Sequence, residues 1–196
     1  MNKELRNIYL THHHTYKLKE NIRFELAYGN EKKYYSKIEK GKIRANILFE
    51  EVFKDSKIVQ MIFIISQYSS KNKVDKFLYR NNFKVVDSFV TKSWDRYYDG
   101  ETNILVIETE KSNLRVPKII DGICYEDFYR NGKLRIKSPI IFYNKQDNLI
   151  LNIYDDRGCD IWSDNLKRQK EIYNKYNSWI LDYDREIITK FYESVI

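Results

Sequence analysis

The side chains best placed by type and spacing to do chemistry are carboxylates and guanidinium groups in the C-terminal third of the chain. Ile153 to Arg185 reads IYDDRGCDIWSDNLKRQKEIYNKYNSWILDYDR, two acid–arginine clusters flanking an amphipathic helix. In the first cluster, Asp155, Asp156 and Asp160 offer hard oxygen ligands of the kind a divalent cation takes, and Arg157 offers a fork for phosphate. Joined by lysines that hold substrate, this set would make a metal-dependent phosphodiester enzyme. The same letters also describe a turn between two strands. An aspartate at the first turn position accepts backbone hydrogen bonds, Gly158 supplies a positive φ, and Cys159 to Trp162 begins the return strand. Turn chemistry accounts for one aspartate and the glycine, and explains the second aspartate and Arg157 less well. In the second cluster, Asp182 or Asp184 caps the final helix. The other acid and Arg185 are expected to ion-pair with the Asp155–Arg157 turn, holding the fold in one arrangement with little net stabilisation.

Other reactive groups are sparse. The three histidines are adjacent, His12, His13 and His14. Neighbours on a strand point to opposite faces, so three in a row cannot converge on one metal. With no histidine elsewhere, the sequence argues against Ser-His-Asp and Cys-His hydrolase mechanisms. Cys124 and Cys159 form no CxxC and read as packed, reduced thiols. No Walker loop, GxGxxG or HExxH is present. Neither a metal nor a cofactor is expected, and the balance is against an enzyme. The remaining candidate is a basic stretch, Lys32, Lys33, Lys37, Lys40, Lys42 and Arg44, interleaved with Tyr34 and Tyr35. Lysines there would neutralise phosphate while tyrosines stack on bases. A lysine-rich solvated face is the commoner outcome of such a pattern.

The elements that must position these groups follow from periodicity. Asn21 to Tyr28 alternates, with Ile22, Phe24 and Leu26 on one face, and predicts a half-buried strand. Ala45, Leu48, Phe49, Val52 and Phe53 form a helical stripe over Lys42 to Phe53. Ile58 to Ser66 is a β-branched apolar run suited to a central strand covered on both faces. A short helix over Asn72 to Tyr79 is followed by strands over Phe83 to Tyr97 and Thr102 to Thr109, with Asp99-Gly100 as the turn. Pro117 starts a helix whose buried face is Ile119, Ile120, Ile123, Cys124 and Phe128. Asn131-Gly132 is a turn, and Ile140 to Tyr143, Leu149 to Tyr154 and Cys159 to Trp162 read as strands. Ser163 caps a helix over Leu166 to Tyr176. A last helix carries the stripe Ile187, Ile188, Phe191, Tyr192 and Val195, preceded by a wedge of Trp179, Ile180 and Leu181. This order predicts an α+β fold, a mostly antiparallel or mixed sheet packed by helices, with two C-terminal helices.

The length of 196 residues, with no Pro/Ser-rich linker, suits a single domain over 1–196, with two lobes at 1–112 and 113–196 as the alternative. The formal charge of +7 hints at nucleic acid. However, the chain is rich in Lys, Asn, Ile and Tyr, whose codons are AT-rich, a bias that raises lysine without selection for binding. Nucleic acid is therefore not the favoured partner. The longest apolar run is too short to span a bilayer, and the start lacks a signal peptide's apolar core, so a cytoplasmic protein without a membrane partner is expected.

Leu151 to Asp160 (LNIYDDRGCD), followed by Tyr173 to Arg185 (YNKYNSWILDYDR), resembles a bacterial family catalogued as domain of unknown function 3885. IRFELAYGN at Ile22 to Asn30 and ILFEEVF at Ile47 to Phe53 are similar to its N-terminal pattern. The resemblance covers most of the chain. It implies a small soluble bacterial protein and brings no established activity, so no catalytic residue is carried over. The function expected is a non-catalytic protein-binding module of immunity or regulatory type. The alternatives are the phosphodiester enzyme on Asp155, Asp156 and Asp160, and nucleic-acid binding through Lys32 to Arg44.

Overall fold

In a computed structural model of the chain, the residues described are 20–29, 34–65, 71–92, 101–125 and 140–194. His12, His13, His14, Lys32, Lys33, Phe128, Val195 and the turns expected at Asp99-Gly100 and Asn131-Gly132 lie outside them. The elements are β1 (Ile22–Glu25), α1 (Tyr34–Val52), β2 (Ile58–Ile65), α2 (Lys71–Arg80), β3 (Lys84–Lys92), β4 (Glu101–Glu110), α3 (Val116–Cys124), β5 (Ile140–Asn144), β6 (Leu149–Ile153), β7 (Gly158–Ser163), α4 (Leu166–Tyr176) and α5 (Asp182–Ser194). Single 3-10 turns sit at Lys111–Asn113 and Asn177–Trp179.

Among the described residues the strands form one seven-stranded sheet in the order β1-β7-β6-β5-β2-β4-β3, and every pairing there is antiparallel. The fold is α+β with two C-terminal helices, and the sheet expected as antiparallel or mixed is antiparallel. β2 lies inside it, buried from Val59 to Ile65 on both faces, as its unbroken apolar run requires. One sheet face, carrying Phe24, Met61, Phe63, Phe142, Leu151 and Ile161, joins the buried residues of the five described helices in the main core. Phe49 of α1 meets Phe142 edge-on at 5.1 Å, and Tyr173 of α4 stacks on Tyr192 of α5 at 4.7 Å. The other face gathers a smaller cluster, Ile62, Ile64, Ile104, Val106, Ile141, Tyr143 and Ile150. Among the described residues, no helix is long and apolar enough to cross a membrane.

Local chemistry sets the element ends. α1 begins at Tyr34, not at Lys42, because its first turns are lysine-rich and show no apolar period to read. The α4 cap is Asn165, whose side chain accepts from the Arg168 amide at 3.2 Å; Ser163 instead ends β7 and accepts from the Asn165 amide at 2.9 Å. α5 starts at Asp182, so Asp184 lies inside the first turn and not at the cap. Its buried residues are Ile188 and Tyr192, while Ile187 faces solvent. Pro117 opens α3 as expected. In the turn between β5 and β6, the fully buried Asn144 accepts from the amides of Gln146 and Asp147 and donates to the Val52 carbonyl at 2.7 Å, tying the turn to the end of α1.

The outer edge of β1 is not left bare. The Leu181 amide donates to the Arg23 carbonyl at 3.0 Å, Phe24 bridges to Ile180, and Arg44 donates to the Glu25 carbonyl at 2.7 Å. The segment expected as a wedge between the last two helices, Trp179 to Leu181, lies between α4 and α5 in the chain, and its Ile180 and Leu181 also close a sheet edge.

Candidate functional site

The stretch from Tyr154 to Gly158 forms the reversal between β6 and β7. The Asp155 carboxylate accepts from the Arg157 amide at 2.7 Å, the local ring expected of aspartate in a turn. Its other oxygen takes Nε of Arg157 at 2.7 Å and also bonds the Arg157 Nη2. Asp155 and Asp156 are both buried, whereas the Arg157 side chain is 75% exposed. Gly158 does not adopt the positive φ expected of it; among the described glycines only Gly29 does. A Cβ at Gly158 would press on the Phe24 carbonyl oxygen at 3.3 Å and the Tyr154 ring at 3.7 Å, so glycine is needed there for close approach.

A second glycine seats the turn. Gly41 lies in the middle of α1, where glycine costs about 1 kcal/mol against alanine. A Cβ on it would collide with the Asp156 carbonyl oxygen and lie 3.4 Å from the Asp156 Cα. Turn backbone and helix backbone are thus in direct contact. Cys124, at the end of α3, aims its thiol at the Asp155 carbonyl 3.9 Å away. Burial, reinforced by Asp156 nearby, pushes that thiol up to about 12, and burial raises Cys159 likewise, so neither is a nucleophile at neutral pH.

Asp160 points elsewhere. On β7 it sits directly across from Arg23 of β1, and their side chains pair at 3.2 Å. Arg23 also reaches Asp184 of α5 at 3.1 Å. Burial lifts the Asp160 carboxyl above its ordinary range, against the pull of hydrogen bonds from Tyr154, Arg23 and Asn21. Burial also raises the Tyr154 hydroxyl, and Asp160 adds to that. The two acid–arginine clusters are therefore joined, but not by the expected pairing of Arg185 with the Asp155–Arg157 turn. Arg185 pairs with Asp182 and donates to the carbonyls of Asn177 and Ile180, closing the bend before α5. Arg23 makes the connection, because β1 and β7 are neighbours in the sheet. Among the described residues no group of three His, Cys, Asp or Glu side chains is arranged to hold a metal ion.

A further buried acid carried no signal in the sequence. Glu51, on the last turn of α1, is 6% exposed and binds Arg168 at 2.8 Å, Lys175 and the Tyr176 hydroxyl. Burial alone would raise its carboxyl, but Lys175 and Arg168 pull it down to about 2. The neighbouring Glu50 is exposed, and nothing in the local letters separates the two.

The described part of the basic stretch turns inward. Lys42 bonds Asp121 at 2.6 Å and Glu39 at 2.8 Å, linking α1 to α3. Arg44 lies over the Tyr28 ring at 3.7 Å and the Trp179 ring at 4.7 Å, and Lys40 over Tyr28 at 4.7 Å. Lys37 is half-buried on the same helix. Sequence reading missed Arg23, Gly41, Glu51 and Tyr154.

The sequence model of the family described as "Domain of unknown function (DUF3885)" matches residues 1–184. A relative from Bacillus subtilis (strain 168), titled "Uncharacterized protein YnaE", is 35% identical over 75 residues, covering 36% of this chain and 35% of its own. The match thus spans about a third of that relative's length. No solved structure matches the chain.

Proposed function

We propose, from the premise that this chain belongs to the DUF3885 family, that it works in the bacterial cytoplasm without catalysis, by docking on one protein partner in the manner of an immunity or regulatory protein. The observation that carries this reading is the outer face of α1. Tyr35, Glu39, Ile43 and Ile47 follow one another at four-residue intervals along the helix. Ile43 is 60% exposed and Ile47 39%, while Ala45, Leu48, Phe49 and Val52 on the opposite side are fully buried. A surface helix normally keeps apolar residues to its core side, and apolar side chains held in solvent within a charged rim mark interaction surfaces. The exposed Glu39 and Glu50 supply that rim.

The internal engagement of the candidate site also favours docking over catalysis. Asp155 is bonded to Arg157, Asp160 to Arg23 and Tyr154, and Lys42 to Asp121. A catalytic group would have to leave such partners to meet substrate.

The test uses the native chain and an Ile43→Glu/Ile47→Glu variant matched in circular dichroism and melting temperature. Both serve as bait in a lysate of a bacterium carrying the gene, and native mass spectrometry reads stoichiometry. One protein held at a fixed ratio by the native chain, and bound at least tenfold more weakly by the variant, is the expected result. Equal retention by both, or none by either, overturns the proposal.

A further inference from the structure

A cavity of about 540 Å³ opens on the sheet face away from the main core, between the start of β2 and the turn after β5. That volume falls in the range of small-molecule sites, roughly 300–1,000 Å³. Three side chains stand abreast in its wall. Glu108 of β4, Gln60 of β2 and Tyr143 of β5 are register partners across adjacent strands. Gln60 is 4% exposed and donates its amide N–H to Glu108 at 2.7 Å, while its Oε1 accepts no hydrogen bond among the described residues. A buried acceptor left without a donor is unfavourable, which makes such an atom a marker of a missing partner.

The remaining lining sets the partner's chemistry. Lys57 and Lys145 border the cavity. Asp55 and Glu108 balance them, so the lining carries two charges of each sign and no net charge. Ile58, exposed despite its place on β2, and the Tyr143 ring supply an apolar wall. We infer that this cavity binds a small zwitterion, a free α-amino acid with an apolar side chain. Its ammonium meets the Glu108 carboxylate beside Gln60, its carboxylate meets Lys57 and Lys145, and its side chain lies against Ile58 and Tyr143. A net anion would meet Asp55 and Glu108, and a net cation the two lysines, so a molecule bearing both signs suits the lining best. This site is separate from the α1 surface proposed for the protein partner.

L-leucine is the probe, titrated into the full chain by calorimetry and by amide chemical shift. 4-Methylpentanoate, which lacks the ammonium, and isopentylamine, which lacks the carboxylate, are titrated alongside. The expected result is saturable leucine binding, with shifts on Gln60, Glu108 and Lys145, and at least tenfold weaker binding of either truncated compound. Glu108→Gln and Lys57→Ala/Lys145→Ala, each checked for an unchanged melting temperature, should weaken leucine at least tenfold. No saturable shift with leucine at 20-fold excess over about 1 mM, the regime of weak metabolite sites, means the cavity holds water only and overturns the inference. Binding unaltered by both variants, or by loss of the ammonium, overturns it as well.

Discussion

Glu51 brings a carboxylate into the interior within reach of Arg168, Lys175 and Tyr176. Its folded carboxyl titrates near 2 against 4.5 for a free glutamate, so its stabilisation is complete above pH 4.5 and fades as pH falls toward 2. Glu51→Gln should therefore lower the free energy of urea unfolding by about 3–5 kcal/mol at pH 7, with the gap to the native chain narrowing on acidification. A gap independent of pH would show that charge is not its source. Arg23 and Asp160 have the opposite sign. Burial holds the Asp160 carboxyl high, so Arg23→Met leaves a buried, unpaired carboxylate that costs about 3–5 kcal/mol at pH 7. That loss should shrink as acid protonates Asp160, and adding Asp160→Asn should recover part of it at neutral pH. Gly41 makes a third case. Helix propensity favours alanine there by about 1 kcal/mol, yet the collision with the Asp156 carbonyl predicts a net loss of about 1–3 kcal/mol for Gly41→Ala in the same assay.

At the level of elements, local pattern was a good guide wherever the signal was local. The apolar run of β2, the alternation of Ile22, Phe24 and Leu26, the proline at the start of α3 and the Tyr154–Gly158 reversal all stand where the letters put them. Local pattern failed where the determinant lies far along the chain. Arg23 reads as the solvent face of a strand, and its partner Asp160 comes 137 residues later. Glu50 and Glu51 are the same letter side by side, and only the arrival of α4 makes one of them buried. Gly41 reads as a flaw in a helix until the turn is laid on it. Asn144 shows an element held by one side chain, since it joins the β5–β6 turn to the end of α1. Asn144→Ala should cost about 1–3 kcal/mol and speed hydrogen exchange at the amides of Gln146 and Asp147. Unchanged exchange there would mean that the turn stands without it.

For the molecule as a whole, the decisive fact is that the sheet interleaves the two halves of the sequence. β1 pairs with β7, and β2 lies between β4 and β5. A single cooperative transition, with coincident near-UV and far-UV signals, is therefore expected on thermal unfolding. Two separated transitions would instead point to independent lobes meeting near residue 112. The same interleaving has a consequence during synthesis. β1 leaves the ribosome 137 residues before the aspartate that pairs with its arginine, and Leu181, which closes its edge, comes later still. At ribosomal speeds of about 5–20 residues per second, that strand waits roughly 7 to 27 seconds. Throughout that interval Ile22, Phe24 and Leu26 have no sheet to join. A nascent chain stalled before β7 is emergent should thus be a client for chaperones that bind short apolar strands, and one stalled after α5 has emerged should be released.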